Sequence, residues 1–186
     1  MDEPISLSQL ISEGKSAYQQ GDFVAAGRAY EAAAAGYQAA GDPLNAAEML
    51  NNSSVAYLQA GEGAAALKSV EGTPSIFETA GDVRRHGMAL GNLGSALEAN
   101  NRLPEAAEAY QKSADLLLQA GEQDLRAYVM KSLSALQLRK GHHLEALGTM
   151  QAGLEGLEHP KPQERLLKRL LQAPFKFLGK SSDQSK

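Results

Sequence analysis

The chain has 186 residues and a formal net charge of −4, with 18 Lys and Arg residues against 22 Asp and Glu residues. That balance excludes the broad basic surface typical of nucleic-acid-binding proteins, so no nucleic-acid partner is expected. The absence of cysteine excludes disulfides, thiolate metal sites and thiol nucleophiles. The acidic start MDEPISLSQL lacks the apolar core of a secretory signal, and no apolar run is long enough to span a bilayer. We therefore expect a cytoplasmic protein.

Helix start signals recur from the beginning of the chain. Ser6, followed three residues later by Gln9, predicts a capping box for the first helix. Later starts carry either an aspartate that can cap free N–H groups or a proline suited to a first turn, at Asp22, Asp42, Pro43, Asp82 and Pro104.

Helix stop signals recur every 20 residues. They are Gly21, Gly41, Gly61, Gly81, Gly121 and Gly141, with Asn101 in the one missing place of the series. Glycine and asparagine are the residues that most readily take the left-handed conformation ending a helix. Together with the start signals, these stops predict helical hairpins. No segment alternates as a half-buried strand would, so we expect essentially no β-sheet.

Small and large residues recur at matching positions of a 40-residue unit. One small site is Ala26, Ala66, Ala106 and Ala146, and another is Gly14, Ser54, Gly94 and Ser134, while a large site is Tyr30, Val70, Tyr110 and Met150. Two antiparallel helices approach closely only where side chains are small, and larger neighbours fill the flanking space. Each hairpin buries its remaining apolar surface by stacking on the next, so the pattern predicts a repeat protein.

The clearest unit, LGNLGSALEANNRLPEAAEAY, resembles the tetratricopeptide repeat (TPR) family. The residues on the family's small and large signature sites are Leu90, Leu93, Gly94, Leu97, Ala106 and Tyr110. The 40-residue period is similar to that of the longer repeats of kinesin light chain. The resemblance implies an all-α fold, a right-handed α-α superhelix of four TPR-like hairpins with a C-terminal capping helix.

The resemblance also implies the domain organisation. Repeats are expected at about residues 7–46, 47–86, 87–126 and 127–166, and the capping helix at about 162–173. Residues 1–173 would then form a single domain, and residues 174–186 a basic, partly disordered tail.

The second repeat departs from the family pattern. Gly72, Thr73 and Pro74 fall inside its second helix, where a proline removes a backbone hydrogen bond and should kink or split the helix. Either a decayed repeat or a functional hinge would explain this segment. Glu13, Ser53 and Gln137 also occupy sites where the family prefers apolar residues.

Family resemblance implies a concave groove lined by the first helix of each pair. The candidate peptide-binding residues are Lys15, Tyr18, Gln19, Asn51, Asn52, Gln59, Asn92, Ser95, Tyr128, Lys131 and Arg139. Asparagine offers both a donor and an acceptor, so Asn52 and Asn92 could satisfy the backbone of an extended peptide, or simply form a solvated helix face. The carboxylate clamp of some family members is incomplete, because Ile11 and Asn92 stand where lysine and arginine are needed.

The sequence gives no indication of a catalytic, cofactor or metal site. The GKS segments at Gly14 and Gly179 lack the upstream glycine of a phosphate-binding loop. His142 and His143 are adjacent and would point to different sides, which makes a poor metal pair. We therefore expect a non-enzymatic protein with no cofactor.

The C-terminal segment is basic and amphipathic. From Lys161 onward there are seven basic and two acidic residues, a net charge of +5. Leu166, Leu167, Leu170 and Leu171 share one face, and Phe175 and Phe177 follow Pro174. The segment could be a capping helix, or it could bind an anionic membrane surface or a partner's groove.

These patterns favour an adaptor that binds a peptide segment of a partner protein. The alternative is a structural or assembly protein that self-associates as a homo-oligomer, or is recruited to a membrane surface by the C-terminal segment.

Overall fold

The computed structural model describes residues 6–157 and 160–178, and side chains are described as far as residue 171. Its helices are α1 (Leu7–Gln20), α2 (Phe23–Ala39), α3 (Pro43–Gln59), α4 (Gly63–Val70), α5 (Thr73–Thr79), α6 (Val83–Ala99), α7 (Leu103–Gln119), α8 (Gln123–Arg139), α9 (His143–Glu155) and α10 (Pro162–Leu178). No strand occurs in these ranges. The all-α prediction is therefore confirmed for the part of the chain that the structure describes.

Helix starts follow the predicted capping signals. Gln9 donates its backbone N–H to Ser6 Oγ at 3.3 Å, and Ser6 donates its own to Gln9 Oε1 at 2.8 Å, so the capping box is confirmed. The three aspartate caps, Asp22, Asp42 and Asp82, accept from the backbone N–H three residues on, at 2.9–3.1 Å.

Helix ends also follow the sequence signals. Each glycine of the 20-residue series has a positive φ, and Asn101, which replaces a glycine, takes the same left-handed conformation with φ of 60°. These residues lie in the turns that separate consecutive helices.

The helix of the second repeat is split at the predicted place. Helix α4 ends at Val70 and α5 begins at Thr73, with Pro74 in the first turn of α5. The Thr73 hydroxyl donates to the Val70 carbonyl at 3.0 Å, which satisfies one of the acceptors that the break leaves free. Thr73, Pro74 and Phe77 are buried, so α5 is a packed element of the fold.

Small residues sit where helices approach most closely. The alanine series at positions 26, 66, 106 and 146 is at most 1% exposed. In the first hairpin the ring of Tyr30 packs directly against the backbone of Gly14, where even a β-carbon would lie 2.9 Å from Tyr30 Cε1. The predicted pairing of small and large sites is confirmed in this hairpin.

The chain divides into two compact units, Met1–Ala120 and Gly121–Lys186. We call them unit 1, which holds α1 to α7, and unit 2, which holds α8 to α10. In unit 2 the Ser134 hydroxyl of α8 donates to the Ala146 carbonyl of α9 at 2.8 Å. Whether residues 1–173 fold as a single domain stays a prediction.

Helix α10 is longer than expected. It passes through Pro174 and ends at Leu178, whereas the sequence predicted an end at about Ala173. A proline inside a helix removes one N–H donor and its ring crowds the carbonyl four residues earlier, but a local kink can relieve that clash and the segment after it can remain helical. Residues 179–186 lie outside the described range. No helix in the described ranges is long and apolar enough to cross a lipid bilayer.

Candidate functional site

Helices α3 and α6, the first helices of the second and third hairpins, are joined side by side in unit 1. Asn92 Nδ2 of α6 donates to Asn51 Oδ1 of α3 at 3.1 Å. Nearer the start of both helices, Arg85 Nη1 lies 3.4 Å from Glu48 Oε2. We call the surface along this seam the α3–α6 face, and it consists of Glu48, Asn52, Gln59, Met88, Asn92 and Ser95.

Asn51 lies inside unit 1, which corrects the prediction that its side chain is available to a partner. Only 9% of it is exposed. Its amide nitrogen donates to the Ala47 carbonyl and to Thr73 Oγ1, both at 2.9 Å, and its oxygen accepts from Asn92. Asn51 therefore holds Asn92 in place and ties α3 to α5 and α6.

Asn52 and Asn92 both lie on the α3–α6 face and are half-buried. Asn52 makes no side-chain hydrogen bond to any described residue, so its amide keeps its full capacity for a partner. Ser95 is more engaged, because its hydroxyl donates to the Gly91 carbonyl and lies 3.1 Å from the Tyr110 hydroxyl. The two asparagines are therefore the better candidates for peptide contacts.

The other predicted groove residues of unit 1 differ in exposure. Lys15 and Gln19 of α1 and Gln59 of α3 are exposed. Tyr18 is half-buried, and its ring packs edge-on against Phe23 with the ring centroids 5.2 Å apart. Tyr18 thus contributes to the packing of α1 against α2, as well as to the surface.

A buried polar network lies behind the α3–α6 face, and sequence reasoning missed it. Tyr57 donates its hydroxyl proton to Glu31 Oε2 at 2.9 Å, and Ser69 Oγ lies 3.3 Å from Glu31 Oε1. Ser53 Oγ lies 3.2 Å from Ser69 Oγ. The polar residue at position 53, where the family prefers an apolar one, was the signal that could have indicated a polar partner in a neighbouring helix.

The electrostatics of this network favour a protonated tyrosine. Burial, followed by the hydrogen bond to the Glu31 carboxylate, raises the pKa of Tyr57 to about 12. At neutral pH the hydroxyl therefore stays a donor to Glu31, and the network links α2, α3 and α4.

In unit 2 the predicted residues of α8 border a cavity. Tyr128 is 69% exposed, and Lys131, one turn later, is also exposed. Both line a cavity of about 480 Å³ between α8, α9 and α10. The remaining lining residues include the apolar side chains Met150, Leu154, Leu157 and Leu167 and the charged side chains Asp124, Lys161 and Glu164. Arg139 lies in the last turn of α8 and is exposed.

The two histidines lie at the start of α9. His142 is the N-cap residue of α9, and its Nδ1 lies 3.0 Å from Glu145 Oε2. Across the described ranges, no three histidine or acidic side chains cluster closely enough to hold a metal ion.

The leucines of α10 do not share one environment. Leu166 and Leu170 are 59% and 60% exposed, whereas Leu167 and Leu171 are half-buried. Part of the single apolar face predicted from the sequence is therefore exposed to solvent, and part is half-buried within unit 2. The Phe175 and Phe177 side chains lie outside the described part.

Comparison with known proteins agrees with the helical repeat. The family model "SNAP: Soluble NSF attachment protein" matches residues 14–151. A solved structure of TPR-like repeats, described as those of a kinesin light chain of Podosopora anserina, superposes with a TM-score of 0.67 at 16% identity. The alignment covers 94% of this chain and 100% of that one. No curated protein matches the chain.

These likenesses confirm a TPR-like repeat protein. At 16% identity the structural likeness shows the fold alone. Membership of the 40-residue subclass therefore stays a prediction, and the soluble NSF attachment protein model is a closer assignment than the sequence reasoning reached.

Proposed function

We propose that this chain, which belongs to the soluble NSF attachment protein family, is an adaptor that binds a peptide segment of a partner protein. Proteins with SNAP and TPR-like repeat folds are generally protein-interaction scaffolds and generally not enzymes. The proposal adds where the partner binds: on the first helices of the hairpins, with the α3–α6 face of unit 1 as its main contact.

The observation that carries this proposal is the hydrogen bond from Asn92 to Asn51. The bond fixes the orientation of the Asn92 amide before any partner arrives, because Asn51 is itself held by Ala47 and Thr73. A preorganised polar group loses less conformational entropy on binding than a mobile one. Asn52, beside it on α3, offers a second amide.

The chemistry of the face suits an extended peptide. Each asparagine amide presents a carbonyl and an N–H group, which match the N–H and carbonyl groups of a peptide backbone. Met88, 36% exposed, adds an adaptable apolar contact on the same face. We assign Lys15 and Gln19 of α1 and Gln59 of α3 to supporting contacts in unit 1. Tyr128, Lys131 and Arg139 of α8 are candidate peptide contacts within unit 2.

The test is the double variant Asn52→Ala with Asn92→Ala. We expect quantitative affinity capture to lose specific partners with this variant while it remains folded. Its free energy of unfolding should fall by about 1–3 kcal/mol, because Asn92→Ala removes the donor to the buried Asn51 oxygen. The matched control is Gln38→Ala, which removes an amide from the second helix α2. Unchanged capture by the double variant would overturn the assignment of the face.

A second candidate function is recruitment to a membrane surface or self-association. It is favoured by the exposure of Leu166 and Leu170 on α10, beside Arg165 and Arg169. Two measurements distinguish these functions. Sedimentation with lipid vesicles detects recruitment to a membrane surface, and the molar mass in solution detects self-association.

A further inference from the structure

We infer that α10 packs on the rest of unit 2 through one face while its opposite face binds an anionic membrane surface. The inference rests on the membrane form of the second candidate function. It adds the residues that contact lipid, the lipid charge, and the claim that α10 remains docked when bound.

The docked face of α10 is defined by its contacts with the rest of unit 2. Leu167 and Leu171, one turn apart, are half-buried, and Leu167 lines the cavity together with Leu154 and Leu157. Lys168 Nζ lies 3.5 Å from the Leu154 carbonyl at the end of α9. These contacts show which side of α10 faces the rest of unit 2.

The first turn of α10 is fixed as well. Glu164 Oε2 accepts the backbone N–H of Lys161 at 2.6 Å, and Arg165 Nε donates to the Pro160 carbonyl at 2.9 Å. The helix start is therefore tied to the segment that precedes it, and the Arg165 side chain is held near the helix.

The outer face is a contiguous stripe of Arg165, Leu166, Arg169 and Leu170. In an α-helix, residues one and four positions apart lie on neighbouring parts of the surface. All four residues are exposed, and Leu166 and Leu170 each expose more than half of their surface. Two apolar side chains with arginines beside them are typical of a helix that lies in a membrane interface, where leucine enters the acyl boundary and arginine meets the headgroups.

Charge favours an anionic bilayer as the occupant of this stripe. Residues 161–171 carry four basic side chains, Lys161, Arg165, Lys168 and Arg169, against Glu164, a net charge of +3. Juxtaposed basic residues are attracted to anionic lipid headgroups, and their contributions add to that of apolar insertion. Two exposed leucines are too small a patch for a stable dimer, which normally buries more than about 1,000 Å² in total.

The experiment is vesicle sedimentation of the full chain, with vesicles of phosphatidylcholine alone and of phosphatidylcholine with about a third phosphatidylserine. We expect binding to the anionic vesicles, loss of that binding in high salt, and little binding to the neutral ones. Leu166→Ser with Leu170→Ser, and separately Arg165→Gln with Arg169→Gln, should each weaken binding about tenfold or more. The control, Leu144→Ser with Leu147→Ser, removes exposed leucines of α9 and should bind like the wild type.

Tryptophan fluorescence tests whether α10 stays docked. The chain has no tryptophan, so a single introduced one reports only its own position. Leu170→Trp should shift to the blue on adding anionic vesicles, and Leu171→Trp should not.

A blue shift for Leu171→Trp instead would overturn the docked arrangement and leave membrane recruitment standing. If the protein does not sediment with anionic vesicles, both the docked arrangement and membrane recruitment are overturned. A molar mass in solution that doubles, and falls back in the Leu166→Ser with Leu170→Ser variant, would assign the stripe to a second copy of the chain and overturn the inference. None of these outcomes bears on the α3–α6 face.

Discussion

The ring of Tyr110 packs against Gly94 so closely that a β-carbon at position 94 would lie 2.6 Å from Tyr110 Cδ1. The Tyr110 hydroxyl lies 2.9 Å from Glu98 Oε2 and 3.1 Å from Ser95 Oγ, both on the helix that carries Gly94. The ring is thus held by packing along its edge and by hydrogen bonds at its hydroxyl. This contact sets the distance between the two helices of the third hairpin.

Replacing Gly94 by alanine should destabilise the protein by about 1–3 kcal/mol, because the added methyl group must displace a ring that is held at its hydroxyl. The measurement is denaturant unfolding followed by circular dichroism. Gly148→Ala is the matched control: it adds a methyl group inside α9 that would meet no atom within 4 Å apart from its chain neighbours and the surrounding helix backbone, and it should be neutral or stabilising by about 0.5–1 kcal/mol. Equal stability of the two variants would contradict the close packing.

Asn51 and Asn52 are neighbours in sequence, yet their substitution should have different effects. Asn51→Ala removes a buried donor to the Thr73 hydroxyl and the acceptor of the Asn92 amide, so we expect a loss of about 1–3 kcal/mol in the free energy of unfolding. Asn52→Ala should change stability by less than about 0.5 kcal/mol. Parallel denaturant titrations of both variants measure the difference, and a larger loss for Asn52→Ala would contradict the placement of the two residues.

The raised pKa of Tyr57 predicts a loss of stability in alkaline solution. The group ionises near pH 10 in the unfolded chain, and its folded pKa is about 12. Between these values the unfolded state binds fewer protons than the folded state, so the free energy of unfolding falls as pH rises from about 10 to about 12. Below the unfolded pKa the contribution is fully present.

Comparing Tyr57→Phe with the wild type isolates this effect. Phenylalanine cannot ionise, so the variant should show a shallower fall in unfolding free energy above about pH 10, whatever the other tyrosines contribute. At neutral pH it should be less stable by about 1–2 kcal/mol, since Glu31 loses a donor. Identical alkaline slopes for the two proteins would contradict the raised pKa of Tyr57.

Asp82 combines a helix cap with an ion pair, and two substitutions separate them. Its side chain accepts from the Arg85 backbone N–H at 2.9 Å and also pairs with the Arg85 guanidinium at 2.6 Å. Asp82→Asn can keep the cap and loses the pair, so we expect a loss of less than about 1 kcal/mol. Asp82→Ala loses both and should cost about 1–2 kcal/mol.

At acidic pH the wild type and Asp82→Asn should have similar free energies of unfolding, because the Asp82 carboxylate is then protonated and no longer pairs with Arg85. The Arg85 backbone N–H, and then its guanidinium, hold the pKa of Asp82 below its usual value. The stabilisation is therefore present above the unfolded pKa of about 3.9 and is lost as pH falls through the folded value. Urea titrations at about pH 7 and about pH 3 measure this, and Glu62→Ala, at an N-cap without a side-chain hydrogen bond, is the control.

Helix boundaries could be predicted from the sequence because their signals are local. The aspartate caps, the turn residues and the break before Pro74 depend on backbone preferences within a few residues. The contact between Gly14 and Tyr30 could also be predicted from the sequence, because small and large residues recur there at fixed spacing.

The direction in which each polar residue of α3 points could not be predicted. Adjacent helical residues differ by about 100° around the axis. Whether Asn51 or Asn52 faces the interior therefore depends on how α3 is rotated against its neighbours, which packing decides. The network of Glu31, Tyr57 and Ser69 joins residues 26 and 38 positions apart in the chain, so no local pattern indicates it.

Which leucines of α10 are exposed and which are half-buried could not be predicted from the sequence for a similar reason. Four leucines at helical spacing indicate an apolar face, but only the burial of Leu167 and Leu171, compared with the exposure of Leu166 and Leu170, shows which part of it faces solvent. The helix is also longer than its sequence indicates, because a proline such as Pro174 is typical of a helix end but can be accommodated by a local bend.

Site-specific photocrosslinking tests the central claim, that a partner binds the α3–α6 face, most directly. A photoreactive amino acid is placed at Asn52, at Met88 or, as the control, at Gln38 of α2, and each protein is irradiated with the partner bound. We expect covalent adducts with the partner from positions 52 and 88 and none from position 38. Adducts from position 38 alone, with the partner still bound to all three proteins, would contradict it.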